Sequence, residues 1–340
     1  MDLETFFTTV YVLVDDWYKT HIAPYKPKRP GVKPRMSDSE VLSVAIAGQW
    51  QVGVPWRSER GLVRYMRAHG IGMFPTMLNK SEFNARVRDL WGAFVQMQQV
   101  VADLLKSPED AYVCADSEPL PAFSGAQALR DKSHWLFEST LGLGGNWAEF
   151  FIGDHLFAVV TPSGAITGWL LGTAYIQDRW LLEALLSARA GCPQLVGPPR
   201  DPHRSFAEHP RPPIGHIGPL LAAGHWANVP YLTDQGFNGE RWISHWRSNY
   251  QAIVINVPPW NTAGAATWSR HDKRWLAHHR QIIDTTFAFL DGVFGVKHLN
   301  AHSRWGQYAR VAAKIAAYNI GIFINLLLAR PAHSFETLLC

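Results

Sequence analysis

Apolar residues recur at intervals of three and four through the first hundred positions, which is the signature of helices with one buried face. Over 1–20 the set is Phe6, Phe7, Val10, Leu13, Val14 and Trp17. Ser37-Asp38-Ser39-Glu40 has capping-box spacing and predicts a second helix to about Trp50. A third helix is expected over 56–69, after Pro55, and a fourth over 81–105. The connector 21–36 is rich in Pro, Lys and Arg and breaks regular structure; it suits either a solvated linker or a segment lying along a phosphate backbone. The texture changes after Pro108. Short β-branched and aromatic runs predict strands at 112–116, 149–160, 165–172, 229–234 and 251–257. Thr161-Pro162-Ser163-Gly164 makes the second and third of these a hairpin, and a loop with Pro119, Pro121 and Gly125 follows the first. Helices are expected over 177–190, 238–248, 280–290 and 303–329, and 191–228 carries no regular pattern.

That order predicts an α/β fold: a mixed sheet flanked by helices, preceded by an all-helical N-terminal domain. The expected divisions are 1–108, 109–330 and a tail, 331–340.

Composition narrows the class. With 47% hydrophobic and 18% charged residues, the chain is globular rather than disordered. The net charge of +4 is mildly basic and compatible with nucleic acid. It is unevenly spread: 270–314 holds eight Lys/Arg and five His against three Asp/Glu, which suits a polyanionic substrate. Cys114, Cys192 and Cys340 form no CxxC, which argues against a disulfide framework and a thiolate zinc site and for a reducing cytoplasm. Asp2, Glu4, Asp15 and Asp16 interrupt the N-terminal apolar residues, so no secretory signal is expected there. The apolar run 315–329 is short and interrupted by Asn319 and Asn325, so a buried helix is expected rather than a membrane span.

The candidate chemistry centres on Arg280-Gln281-Ile282-Ile283-Asp284-Thr285-Thr286-Phe287-Ala288-Phe289-Leu290. As a helix it turns Ile282, Ile283, Phe287, Phe289 and Leu290 inward and sets Arg280 and Asp284 on one face. Alone, that pair reads as a surface ion pair. Two more carboxylates, Asp116 and Asp234, close predicted strands. Two strand-end aspartates and one acid from a late helix form a constellation for hard Mg²⁺ or Mn²⁺. Two such ions, about 3.5–4 Å apart, can activate a nucleophile and stabilise a leaving oxygen at phosphorus. The plainer account is that both are turn aspartates. Arg57, Arg60, Arg64 and Arg67 share a helical face, either a helix-turn-helix contact surface for DNA or a solvated one. His278-His279 and the spaced pair His298 and His302 read as surface or DNA-facing rather than as zinc ligands. Most tryptophans are expected in the core; Trp260 and Trp275 are the candidates for stacking on an unpaired base.

Four segments occur in order: Ala115-Asp116-Ser117-Glu118-Pro119-Leu120-Pro121, Leu232-Thr233-Asp234-Gln235-Gly236-Phe237, Arg280-Gln281-Ile282-Ile283-Asp284 and Ala312-Ala313-Lys314-Ile315-Ala316-Ala317-Tyr318-Asn319. Together they resemble the DDE transposases of bacterial insertion sequences, over about 111–330, with Phe83-Asn84-Ala85-Arg86 as a looser upstream match. The resemblance implies a ribonuclease-H-like catalytic domain with Asp116, Asp234 and Asp284 as catalytic metal ligands for two Mg²⁺ or Mn²⁺ ions. The candidate DNA contacts are Arg57, Arg60, Arg64 and Arg67, by their shared face, with Arg280, Lys297 and Arg304 of the basic zone. The implied partners are double-stranded transposon ends and target DNA, bound by a cytoplasmic homodimer with no membrane association. The third acid of that family is usually Glu, and here it is Asp284, one methylene shorter. A Tyr-x-x-Arg and downstream Lys signature of some members falls on Ala277 and Asp291; Asp291 is a rival third acid, without an Arg four residues before it. A DNA-binding protein that has lost catalysis, and a ribonuclease-H-like nuclease that cuts without joining, are the alternatives.

Overall fold

Side-chain caps set where the helices begin in the computed structural model of the chain. The structure describes all residues except 27–30, 32, 71, 125–139, 144–149, 192–196, 199–228, 259–263, 265–266, 302 and 340. α1 (Leu3–Trp17) starts at Asp2, whose carboxylate accepts from the Thr5 N–H. α2 (Asp38–Ala47) opens on the full capping box of Ser37 and Glu40. α3 (Glu59–His69) begins later than expected because Ser58 caps it, accepting from Gly61 N–H. The single helix expected over 81–105 is two helices, α4 (Lys80–Asp89) and α5 (Trp91–Leu104), broken at Leu90. A second capping box, Asn79 with Glu82, opens α4.

The next unit, Lys106–Phe287, is built on a mixed six-stranded sheet. Its strands are β1 (Val113–Ser124), β2 (Thr140–Leu143), β3 (Phe150–Val160), β4 (Ile166–Thr173), β5 (Tyr231–Leu232) and β6 (Val254–Ile255). The order is β2-β3-β1-β5-β6, with β4 also on β3. β3 runs antiparallel to β1, β2 and β4, whereas β5 is parallel to β1 and β6 to β5. α6 (Asp178–Arg189) follows β4, and α7 (Glu240–Tyr250) connects β5 to β6. Strand side chains alternate between faces. Val113 and Ala115 of β1 join Phe157 and Val159 of β3 in a core with Leu181 and Leu185 of α6 and Trp246 of α7.

Three strand expectations are corrected. β1 does not end at Asp116 but continues through Pro119 and Pro121 to Ser124. Its pairing with β5 covers only Val113 and Cys114, so beyond them β3 is its one partner among the described residues, and an edge tolerates proline. The register slips between Pro121 and Phe123, where β3 carries Gly153; a Cβ there would lie 2.2 Å from the Leu120 carbonyl oxygen. β5 and β6 are two residues each, far shorter than expected. β2 had no counterpart among the predicted strands.

α8 (Arg270–Gly292) starts ten residues before the expected 280, opened by Ser269 and Asp272 hydrogen-bonded reciprocally. Within the sheet unit it runs in the same direction as β1. The Trp275 and His279 rings lie 6.4 and 5.4 Å from Tyr112, and Arg280 reaches Asp116.

From Ala288 onward the chain belongs with Met1–Leu105, not with the expected 109–330 domain. α9 (Arg304–Leu327), capped by Ser303, packs on α5, α2 and α4 through its alanines and branched residues. It is the one helix among the described residues long and apolar enough to cross a membrane, and most of it is buried inside the protein. The expected tail is packed as well: Phe335 and Leu338 are buried, and the N-terminal ammonium donates to the Leu338 carbonyl at 2.7 Å.

Candidate active site

Strand register brings the first two acids together. In the parallel pairing of β1 with β5, Cys114 stands opposite Leu232. Asp116 and Asp234 each lie two residues further on, so the period of two puts them on one face of neighbouring chain segments. Asp116 remains in the ladder with β3, opposite Ala158. Asp234 leaves its strand, and its carboxylate accepts from Gly236 N–H at 2.7 Å, capping the short 3-10 turn Gln235–Phe237.

The Asp116 carboxylate accepts from Ser117 N–H at 2.8 Å and from the Arg280 Nη2 at 2.7 Å. Burial, then the charge of Asp234, push its carboxyl up to about 7 in spite of Arg280. Asp178 adds to the push. Without a metal, this acid is therefore close to half protonated at neutral pH. Arg280 is the cation that offsets it.

Asp284 lies one turn beyond Arg280 on α8 and is exposed. Its charge, like that of Asp116, raises the Cys114 thiol, which burial takes to about 12. Among the described residues Asp284 makes no hydrogen bond or ion pair to Asp116 or Asp234. The rival, Asp291, belongs to the other unit, with Lys297 Nζ at 3.9 Å.

Asp178 is the acid that sequence reasoning missed. As the first residue of α6 it reads as an ordinary helix-start acid, favourable at the positive end of the helix dipole. The fold brings its Oδ1 within 2.5 Å of the Ser117 Oγ, which donates to it. Burial raises its carboxyl, and Asp234 acts in the same direction. His155 of β3 holds Nδ1 4.0 Å from the same oxygen; burial lowers the imidazole, and both ring nitrogens are buried without a hydrogen-bond partner among the described residues. Gly236 leaves a cradle between two acids. A Cβ placed there would lie 3.0 Å from Asp234 Oδ1 and 3.3 Å from Asp178 Oδ2.

Among the described residues, no three His, Cys, Asp or Glu side chains stand close enough to chelate one ion as they lie. The carboxylate oxygens of Asp116, Asp178 and Asp234, held together against their own repulsion, nevertheless fit Mg²⁺ or Mn²⁺.

The other candidates separate. Arg57, Arg60, Arg64 and Arg67 are all exposed, and Arg57 donates to the Gln51 carbonyl at 2.9 Å. Lys297 and Arg304 lie in the same unit as those arginines, Arg304 on Gln307 at 3.0 Å. Trp275 is 41% exposed and tilts over His279 at 4.2 Å, which bonds the Trp275 carbonyl through Nδ1. His298 lies outside any helix, and Trp260 and His302 fall outside the described residues.

No protein-family model matches the chain, and neither the curated proteins nor the solved structures give a match.

Proposed function

We propose that the protein is a DNA transposase with a ribonuclease-H-like catalytic unit, which cuts transposon ends and joins the resulting 3′ hydroxyl to target DNA. The observation that carries this reading is the register of Asp116 with Asp234, on one face and beside the Arg280 guanidinium. The sheet supports the fold assignment. β4, β3 and β1 are successive antiparallel neighbours, β5 and β6 extend the sheet in parallel, and helices follow β4, β5 and β6.

Bound Mg²⁺ or Mn²⁺ ions, two by the resemblance, would supply activation of the attacking oxygen and stabilisation of the leaving one. Asp116 and Asp234 would hold them, with Asp284, one turn beyond Arg280 on α8, as the further acid. Arg280 neutralises Asp116 in the resting protein and is placed to take a phosphate oxygen when the carboxylate is otherwise engaged. The exposed arginines of α3 contact duplex phosphates, a sequence-independent term that positions DNA without reading it. The homodimer on paired ends and the cytoplasmic setting rest on the resemblance alone.

The test uses linear duplex carrying the DNA that flanks the protein's own reading frame, with Mg²⁺ or Mn²⁺ and a target plasmid. The expected result is metal-dependent nicking that leaves a 3′ hydroxyl, followed by joining to the plasmid, both absent in Asp116→Ala. End binding without cutting in either metal would contradict it in favour of a DNA-binding protein. Cutting without joining would indicate a nuclease.

A further inference from the structure

We propose that Asp178 is a third carboxylate of the Asp116–Asp234 centre and a direct ligand of the divalent ion used there. This rests on the transposase reading, and it assigns a role to a residue outside the Asp116, Asp234 and Asp284 set.

Three observations carry it. The first is position. Asp178 Oδ2 and Asp234 Oδ1 both border the space that the missing side chain of Gly236 leaves open. The second is orientation. Ser117, the residue after Asp116, donates to Asp178 Oδ1 at 2.5 Å, so the aim of this acid is tied to the strand that carries the first one. Oδ2 is left to face the cradle.

The third is that, among the described residues, no lysine or arginine ion-pairs directly with Asp178. Arg280 is spent on Asp116. Arg179 lowers the Asp178 carboxyl through its charge alone, since its guanidinium donates to the Asn238 carbonyl and the Gln177 side chain. The neighbouring imidazole of His155 stands 4.0 Å away, with its ring nitrogens buried and unpartnered among the described residues. Half-buried carboxylates crowded against one another oppose folding. Such an arrangement persists where the charge has a use. The competing role is a helix-start acid that only stabilises α6. The two roles predict opposite effects of removing the charge on the metal-free protein.

The experiment is a Mn²⁺ titration of the full-length protein, following the free-ion electron paramagnetic resonance signal, with thermal melts taken with and without Mn²⁺. Wild type, Asp116→Asn, Asp178→Asn and Asp284→Asn are compared. Asp178→Asn is expected to bind Mn²⁺ at least tenfold more weakly and to lose the Mn²⁺-dependent rise in Tm. Its metal-free Tm should equal or exceed that of wild type. Wild-type Mn²⁺ affinity in Asp178→Asn, with loss in Asp116→Asn, would overturn the assignment and leave the transposase reading standing. A metal-free Tm well below wild type, with Mn²⁺ affinity kept, would make Asp178 a structural cap and also overturn it. A wild-type protein that binds no Mn²⁺ would defeat both the reading and this inference. Should Asp178→Asn not fold, Ser117→Ala replaces it, because it frees Oδ1 without removing the charge. Weakened Mn²⁺ binding is then the expected result, and unchanged binding the overturning one.

Discussion

Two acids of the sheet unit are held in opposite ways. Glu183 of α6 is fully buried and accepts from His245 Nε2 at 3.0 Å, Trp246 Nε1 at 2.8 Å, the Tyr250 hydroxyl at 2.6 Å and Gly197 N–H at 3.2 Å. Asn249 donates to His245 Nδ1, so a neutral imidazole protonated at Nε2 satisfies both of its neighbours. Asp116 has one cation and one backbone N–H, and two further acids push against it. The first arrangement ties α6 to α7 and completes the hydrogen bonds of every group it uses. The second opposes folding. A buried acid with its donors supplied is architecture; an acid held among like charges marks chemistry.

This contrast can be broken at either end. Glu183→Ala strands the indole, phenol and imidazole donors, and should lower unfolding free energy by about 3–5 kcal/mol, read from urea denaturation. Glu183→Gln should lose much less.

The opposite sign is expected at Asp116, through pH. Its carboxyl holds a proton to about 7 when folded and releases it near the ordinary 3.8 when unfolded. Unfolding therefore releases a proton between those values. The stability this group contributes is full below about 4, is lost as pH rises through about 7, and changes no further above that. The loss is on the order of 4 kcal/mol at most. Metal-free wild type should be less stable at pH 7.5 than at pH 5 by urea denaturation, and Asp116→Asn should remove most of that slope. An unchanged slope would separate the strain from Asp116.

Smaller effects are expected at the margins. Gly236→Ala puts a methyl group against Asp234 Oδ1 and should weaken Mn²⁺ binding by about tenfold, the scale of disturbing a ligand's surroundings. Arg64→Ala, on the exposed face of α3, should reduce the slope of log affinity against log salt by about one for any duplex sequence.

Local signals were legible and long-range ones were not. The helix starts at Ser37 and Ser303 are caps written within a few residues, and both appear where expected. The pairing of Asp116 with Asp234 was half legible: each read as a strand-end acid, but the parallel register that aligns them is made by residues more than a hundred positions apart. The prolines after Asp116 read as a loop because an edge strand and a loop tolerate proline alike, and only the partner distinguishes them. Asp178 looked like a helix cap, and its meaning depends on Ser117 and Gly236, which only the fold brings near. The alanines and isoleucines of α9 announce a buried helix but not which helices bury it; Ala288–Cys340 groups with Met1–Leu105 through contacts no local pattern specifies.

The most direct measurement sets the two acids against each other in one assay: metal-dependent nicking of duplex carrying the element's own flanking DNA, by wild type, Asp116→Asn and Glu183→Gln, each checked for folding by its thermal melt. Nicking by wild type and by folded Glu183→Gln is expected, with Asp116→Asn stable but slower by at least about a thousandfold, the scale of losing an essential electrostatic contact. Equal nicking by Asp116→Asn, or none by wild type in either metal, would contradict the assignment of this centre to DNA cleavage.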